Sequence, residues 1–309
     1  MNEHNHLHSH SHGHGAPGSR NWTPVFAIGI ALNLGFVVIE GIYGLLANSM
    51  ALIADAGHNL GDVLGLVIAW IAMVLARRAP TQNYTYGLRR GTILAALVNA
   101  MLLLVAVGAI TIEGIRRLSE PAEIASITVI TVAAAGIVVN GITAWLLASG
   151  SKDDINLRGA FLHMLYDALV SLGVVATGAI MWLTGWTWLD SIVSLVIAAV
   201  ILMGTWSLLR DSVGMSLDAV PPALKLDEVS TFLKQQPGVI SIHDLHIWSM
   251  STTEAVLTCH CLMPAGHPGD EFLAQLAHEL QERFKINHVT IQIEIHEHIA
   301  CVLEPDHVV

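Results

Sequence analysis

Six long apolar stretches, at about 24–47, 50–76, 92–117, 124–148, 157–184 and 188–209, most constrain what this chain can become. Each is long enough to cross roughly 30 Å of hydrocarbon as a helix. Lipid gives no partner to a backbone N–H or C=O, so an apolar run of that length has to pair internally as a helix. The breaks between them are short: Ala47-Asn48-Ser49, a segment holding Arg77, Arg78, Arg89 and Arg90, Ser119-Glu120-Pro121, Ser149 to Asn156 with Lys152, and Thr184-Gly185-Trp186-Thr187-Trp188. The last carries an aromatic pair suited to a membrane interface. With 53% hydrophobic residues, 13% charged and a mean hydropathy of +0.60 over 309 residues, the chain is too apolar for a soluble domain. Outside the C-terminal region, Arg20, Arg77, Arg78, Arg89, Arg90, Lys152, Arg158 and Arg210 fall on one side of such a bundle, and Arg116 and Arg117 on the other. That bias places both termini in the cytoplasm. The N-terminus lacks a basic n-region followed by an apolar core and cleavage site, so the first apolar run is expected to be a span rather than a secretory signal.

The flanks are different in kind. Residues 1–21 are polar, with His4, His6, His8, His10, His12 and His14 on alternate positions among Asn, Ser and Gly. Such a tail cannot bury a core and is expected to be disordered, either a spacer or a weak collector of divalent ions. After Arg210 the composition becomes that of a soluble domain, residues 211–309, with Pro221-Pro222 in the linker. A helical pattern over about 223–236 ends at Pro237-Gly238; strand patterns cover Val239 to Trp248 and Ala255 to Met263; a helix spans about 269–284; and a strand runs from His288 to Ile295. The order αββαβ makes a small α+β domain. The net charge of −11, concentrated in the last third, argues against nucleic acid as a partner. Three cysteines, Cys259, Cys261 and Cys301, form no CxxC pair and suit a reducing compartment.

Ionisable groups inside the apolar runs cost roughly 2.5–3.5 kcal/mol each on insertion scales, so each needs a reason. They are Glu40, Asp55, His58, Asp62, His163, Asp167 and Asp190. His58 and Asp62, like His163 and Asp167, are spaced i, i+4, which sets an imidazole and a carboxylate on one helix face. Each pair could satisfy itself by a local hydrogen bond. Two copies in separate spans also offer two nitrogens and two carboxylate oxygens, a set that closes a tetrahedron around Zn²⁺ and is short of the oxygens Ca²⁺ or Mg²⁺ require. Gly57, Gly61 and Gly65 form a small-residue stripe beside the first pair, expected to let the partner helix of the site approach closely. Glu40, Asp55 and Asp190 either line a hydrated path or support neighbouring helices, and are not read as ligands.

The run from Ser49 through Asp55, His58 and Asp62, the loop Tyr84-Thr85-Tyr86-Gly87, the pair His163 and Asp167, and His243-Asp244-Leu245-His246-Ile247-Trp248 together resemble the cation diffusion facilitator family, in particular its bacterial zinc-transporting branch. The likeness covers nearly the whole chain. It implies a six-helix transporter of the inner membrane that works as a homodimer, carries a ferredoxin-like cytoplasmic domain for regulation and dimerisation, and exchanges cytosolic Zn²⁺ for external H⁺. It places the transport site on His58, Asp62, His163 and Asp167, and a regulatory metal site on His243, His260 and Glu294, with His288 as a further candidate. A loop metal site of some members falls here on Thr81, Gln82, Tyr84 and Leu88, which are not ligands of that kind, and the histidine-rich loop of animal relatives is replaced by Ser151-Lys152-Asp153-Asp154. In an ideal strand His243 and His246 point to opposite faces, His260 opposes Cys259 and Cys261, and His288, Gln292 and Glu294 share a face. Cys301, with Cys259 or Cys261, could add thiolate.

Zn²⁺ binds ionised carboxylate and neutral imidazole, so loading the site expels protons, and one gradient can drive the other through the same residues. No GxxxxGK[ST] run is present to bind ATP. An intramembrane metallohydrolase would need an open coordination position and a general base, and no HExxH occurs. A non-transporting metal sensor would leave the buried pairs unexplained. A broader exporter of Co²⁺, Cd²⁺ or Ni²⁺ is the alternative within the transporter class.

Overall fold

A computed structural model describes residues 23–120, 122–148, 155–296 and 301, without the side chains of 23–28, 30 and 155–157. The histidine tail, Pro121 and the Ser151-to-Asp154 loop lie outside the described residues. Six apolar helices come first: α1 (Thr23–Leu46), α2 (Met50–Ala76), α3 (Gly91–Ser119), α4 (Ser126–Ala148), α5 (Ile155–Thr184) and α6 (Trp188–Ser216). Among the described residues five stretches, within α2 to α6, are long and apolar enough to cross a membrane, while in α1 the apolar stretch is Ala31–Leu46. The bundle core gathers Phe36, Leu52, Ile110, Val129, Val174 and Ile197.

Two polar devices fix α2. Ser49, in extended conformation (φ −99°, ψ 118°), caps its N-terminus by accepting from Leu52 N–H at 3.3 Å. Asp190, on the first turn of α6 and fully buried, accepts from the Ser49 hydroxyl at 2.5 Å and from the N–H groups of Met50 at 2.5 Å and Ala51 at 3.3 Å. The Asp190 carboxyl is therefore seated on the N-terminus of α2, the supporting role rather than the path-lining one.

The glycine stripe corrects an expectation. A Cβ on Gly61 would lie 2.2 Å from Leu103 Cδ2 and one on Gly65 2.7 Å from Asn99 Nδ2, so the stripe fits α2 against α3, not against α5. The close approach to α5 is made from α4: Gly178 faces Ile130, and Gly136 meets Ser171 of α5 as well as Phe36 of α1.

The C-terminal domain comprises α7 (Leu226–Lys234), β1 (Ser241–Ser249), β2 (Ala255–Leu262), α8 (Asp270–Phe284) and β3 (Ile286–Glu294). The sheet order is β1-β2-β3, antiparallel then parallel. Both helices cover one sheet face, where Leu233, Leu257, Cys259, Cys261, Leu276 and Leu280 form the core. The domain meets the membrane helices at the arginine-bearing connection between α2 and α3, through ion pairs Arg89–Glu254 (2.8 Å) and Arg90–Asp218, a hydrogen bond from Thr252 N–H to Thr92 Oγ1 (3.1 Å), and an edge contact of Tyr86 with His288.

Candidate metal centres

Helix α2 presents His58 and Asp62, and α5 presents His163 and Asp167, toward one another. Asp62 Oδ2 lies 3.4 Å from His163 Nε2 across the helices, shorter than the separations within a helix, 3.7 Å for His58–Asp62 and 3.6 Å for His163–Asp167. Neither local pair closes to hydrogen-bond distance. Asp62 Oδ2, Asp167 Oδ2 and His58 Nδ1 are buried and have no hydrogen-bond partner among the described residues. Leaving such groups unpaired costs about 1–3 kcal/mol apiece, more when charged, which a cation or protons between them would offset. His58 and His163 face each other edge-on at 6.3 Å between ring centroids. A cavity of about 440 Å³ among α1, α2, α4 and α5 reaches Asp62 and His163, with Asn33, Trp70, Thr143 and Met164 also in its wall.

Asp55 and Glu40 stand apart from this set. Asp55 Oδ2 accepts from Ser171 on α5 at 3.2 Å. Glu40 is fully buried beside Asp55 and Asn59, its carboxyl oxygens without a well-formed hydrogen bond.

In the C-terminal domain a bulge overturns the strand arithmetic. His243 pairs with His260, but His246 pairs with Thr258, so β1 holds one residue more than β2 between these points. Asp244 makes the turn with φ +50°, and the extra residue brings His246 onto the face of His243. On that face His260 Nδ1 lies 3.0 Å from Glu294 Oε1, His243 Nε2 lies 3.4 Å from Glu294 Oε2, and the two imidazoles meet at 5.1 Å. Cys301 Sγ is 3.6 Å from His260 Nδ1. One donor atom from each of His243, His260, Glu294 and Cys301 falls within 4.8 Å of the others. Burial alone would raise the Glu294 carboxyl, but the Cys301 hydrogen bond, the adjacent His243 and His260 and the Gln292 amide outweigh it and hold it below its ordinary value.

His288 is not part of this group. It lies on an exposed position of β3 against Tyr86, six positions along the strand, about 20 Å, from Glu294. Cys259 and Cys261 are buried on the helix-covered face. Asp244, whose carboxylate lies 2.8 Å from His246 Nε2 and 3.5 Å from His260 Nε2, was not singled out by its spacing. Its signal is chemical, because Asp is depleted in strands and tolerates a left-handed backbone.

These two histidine–carboxylate groups belong to a transporter architecture. The family description "Cation efflux transmembrane domain" matches residues 26–215, and "Cation efflux protein, cytoplasmic domain" matches 221–296. The chain belongs to the cation efflux family. It is 39% identical to the metal cation efflux system protein CzcD of Cupriavidus metallidurans over 87% of this chain and 85% of that one. It is 37% identical to the zinc transporter ZitB of Escherichia coli over 87% and 86%. A Bacillus subtilis protein named cadmium, cobalt and zinc/H(+)-K(+) antiporter is 34% identical over 89% of each chain. The protein is thus a multi-pass cation efflux transporter with a C-terminal cytoplasmic domain, and its family is not a class of enzymes.

Proposed function

We propose that this chain exports Zn²⁺ from the cytosol in exchange for H⁺, by alternating access through His58, Asp62, His163 and Asp167. The cross-helix approach of Asp62 and His163, 3.4 Å and closer than either local pair, is the observation that carries this reading. Two imidazole nitrogens and two carboxylate oxygens suit a borderline divalent ion, and the buried unpaired oxygens of Asp62 and Asp167 suit a site held alternately by metal and by protons. The active unit is a homodimer of six-span protomers in the bacterial inner membrane, with both termini cytoplasmic and a ferredoxin-like domain. Metal at His243, His260 and Glu294 regulates it. The orphaned, buried His243 Nε2 fits that assignment. Zn²⁺ bound there would act through its preference for one of two domain arrangements.

Radioactive Zn²⁺ uptake into inverted vesicles tests the exchange. Uptake should depend on an acid interior and fall when a protonophore collapses the gradient; an unchanged rate would sink the antiport mechanism. Cargo breadth is a second axis, because the names of related proteins include cadmium and cobalt and the donor set does not exclude either. Competition by Cd²⁺ and Co²⁺ for Zn²⁺ uptake separates a zinc exporter from a broader one.

A further inference from the structure

We infer that Cys301 is the fourth ligand of the cytoplasmic metal site, which therefore closes within a single protomer, and that Asp244 is the positioning residue that aims His260 at the ion. This rests on the reading of His243, His260 and Glu294 as metal ligands.

Three donors leave a zinc tetrahedron short by one, to be filled by water or by a second chain. Here the fourth donor is already in place. Cys301 Sγ sits 3.6 Å from His260 Nδ1, inside the 4.8 Å cluster, and lies on the open face of the sheet rather than with the core thiols. The donor set is then two nitrogens, one oxygen and one sulfur, which selects borderline and soft ions over Mg²⁺, Ca²⁺ or Mn²⁺.

The imidazole of His260 uses its two nitrogens for different purposes. Nδ1 faces Glu294 and Cys301, while Nε2 faces Asp244 Oδ2 at 3.5 Å. A metal-bound imidazole characteristically donates its other N–H to a carboxylate, which fixes tautomer and ring orientation. Asp244 takes that position with a left-handed backbone, φ +50°, at the β1 bulge, a conformation that its short polar side chain tolerates. Its other oxygen is tied to His246 Nε2 at 2.8 Å, so the carboxylate is itself held.

The test uses Co²⁺ as probe on the full-length protein in lipid nanodiscs, carrying Asp62→Ala and Asp167→Ala together with serine in place of His4, His6, His8, His10, His12 and His14, so that neither the membrane pairs nor the histidine tail holds the probe and the cytoplasmic site reports. About one tightly bound Co²⁺ per protomer is expected, with a near-ultraviolet thiolate-to-cobalt charge-transfer band. Cys301→Ser should abolish the band, and Cys259→Ala should leave it. Asp244→Ala should weaken Co²⁺ binding by about 10–100-fold, the usual effect of losing such a partner, with Asp244→Asn recovering part of it. Bound Co²⁺ without the band, or a band that survives Cys301→Ser, overturns the thiolate assignment while leaving the other three ligands standing. Unchanged affinity in Asp244→Ala removes the positioning role. Absence of any bound Co²⁺ would overturn the site itself, and circular dichroism of each variant shows that the domain is folded.

Discussion

The two histidine–carboxylate groups use similar chemistry and are built in opposite ways. In the membrane the donors are strung between two helices with gaps of 3.4–3.7 Å; Asp62 and His163, 33% and 41% exposed, line a cavity, while Asp167 is only 3% exposed. In the cytoplasmic domain the donors gather within 4.8 Å on a sheet, with His243, His260 and Glu294 only 12–18% exposed. A transport site has to release its cargo, and placing ligands on elements that can separate makes release cheap. A sensing site gains from donors that are already assembled, because less ordering is needed on binding. The packing agrees with this division. Glycines fit α2 closely to α3 and α4 closely to α5, whereas among the described residues none of the glycine contacts joins α2 directly to α5 across the site.

The sharpest way to break that comparison is to remove one donor from each group. Asp167→Ala should cut Zn²⁺ uptake by more than about a hundredfold, since even partners outside a metal's own ligands are worth 10–100-fold. His243→Ala should leave the maximal rate intact and shift the Zn²⁺ concentration at which transport is half-activated. Vesicle uptake measured across a zinc series separates the two effects; equal loss of maximal rate in both variants would erase the distinction between cargo site and regulatory site.

A smaller effect probes the α2–α3 fit. Gly61→Val places atoms where Leu103 already sits, 2.2 Å from the new Cβ, and overpacking of this kind costs about 1–3 kcal/mol. Gly173→Ala on α5, with nothing within 4 Å of its Cβ, should not destabilise at all. Thermal unfolding in detergent compares them, and equal melting temperatures would remove the tight α2–α3 fit from the account.

Much of this was legible in the chain, and what was not had a common cause. Apolar length and strand or helix periodicity are local properties, so the six apolar helices and the αββαβ order could be read directly. The i, i+4 pairs likewise told which residues share a helix face. Periodicity does not say what that face meets: the glycine stripe looked as if it served the site and instead packs on α3, and Asp190 is a cap only because α6 delivers it to the start of α2, 140 residues away in sequence from Met50. The same limit hid the cytoplasmic cluster. Strand alternation put His243 and His246 on opposite faces, and a single left-handed residue, Asp244, reversed that. His288 shares a strand parity with Glu294, but parity fixes a face and not a distance along it.

How strongly the two regions lean on each other gives the smallest effect and the last test. Their contacts are polar and partly exposed: in Arg89–Glu254 the side chains are 41% and 31% exposed, and in Arg90–Asp218 53% and 52%. Ion pairs in such settings are worth about 0.2–1 kcal/mol and weaken with salt. Glu254→Gln should therefore lower the unfolding free energy by no more than about 1 kcal/mol, with the difference from the unsubstituted protein shrinking at high salt. Such a seam would let the domain change its arrangement without unfolding the helices above it, as the proposed regulatory role requires. A loss of several kcal/mol that salt does not reduce would mean instead that the domain and the helices form one cooperative unit, and metal on the sheet would then act on the transport site through rigid contact rather than by shifting a loosely held equilibrium.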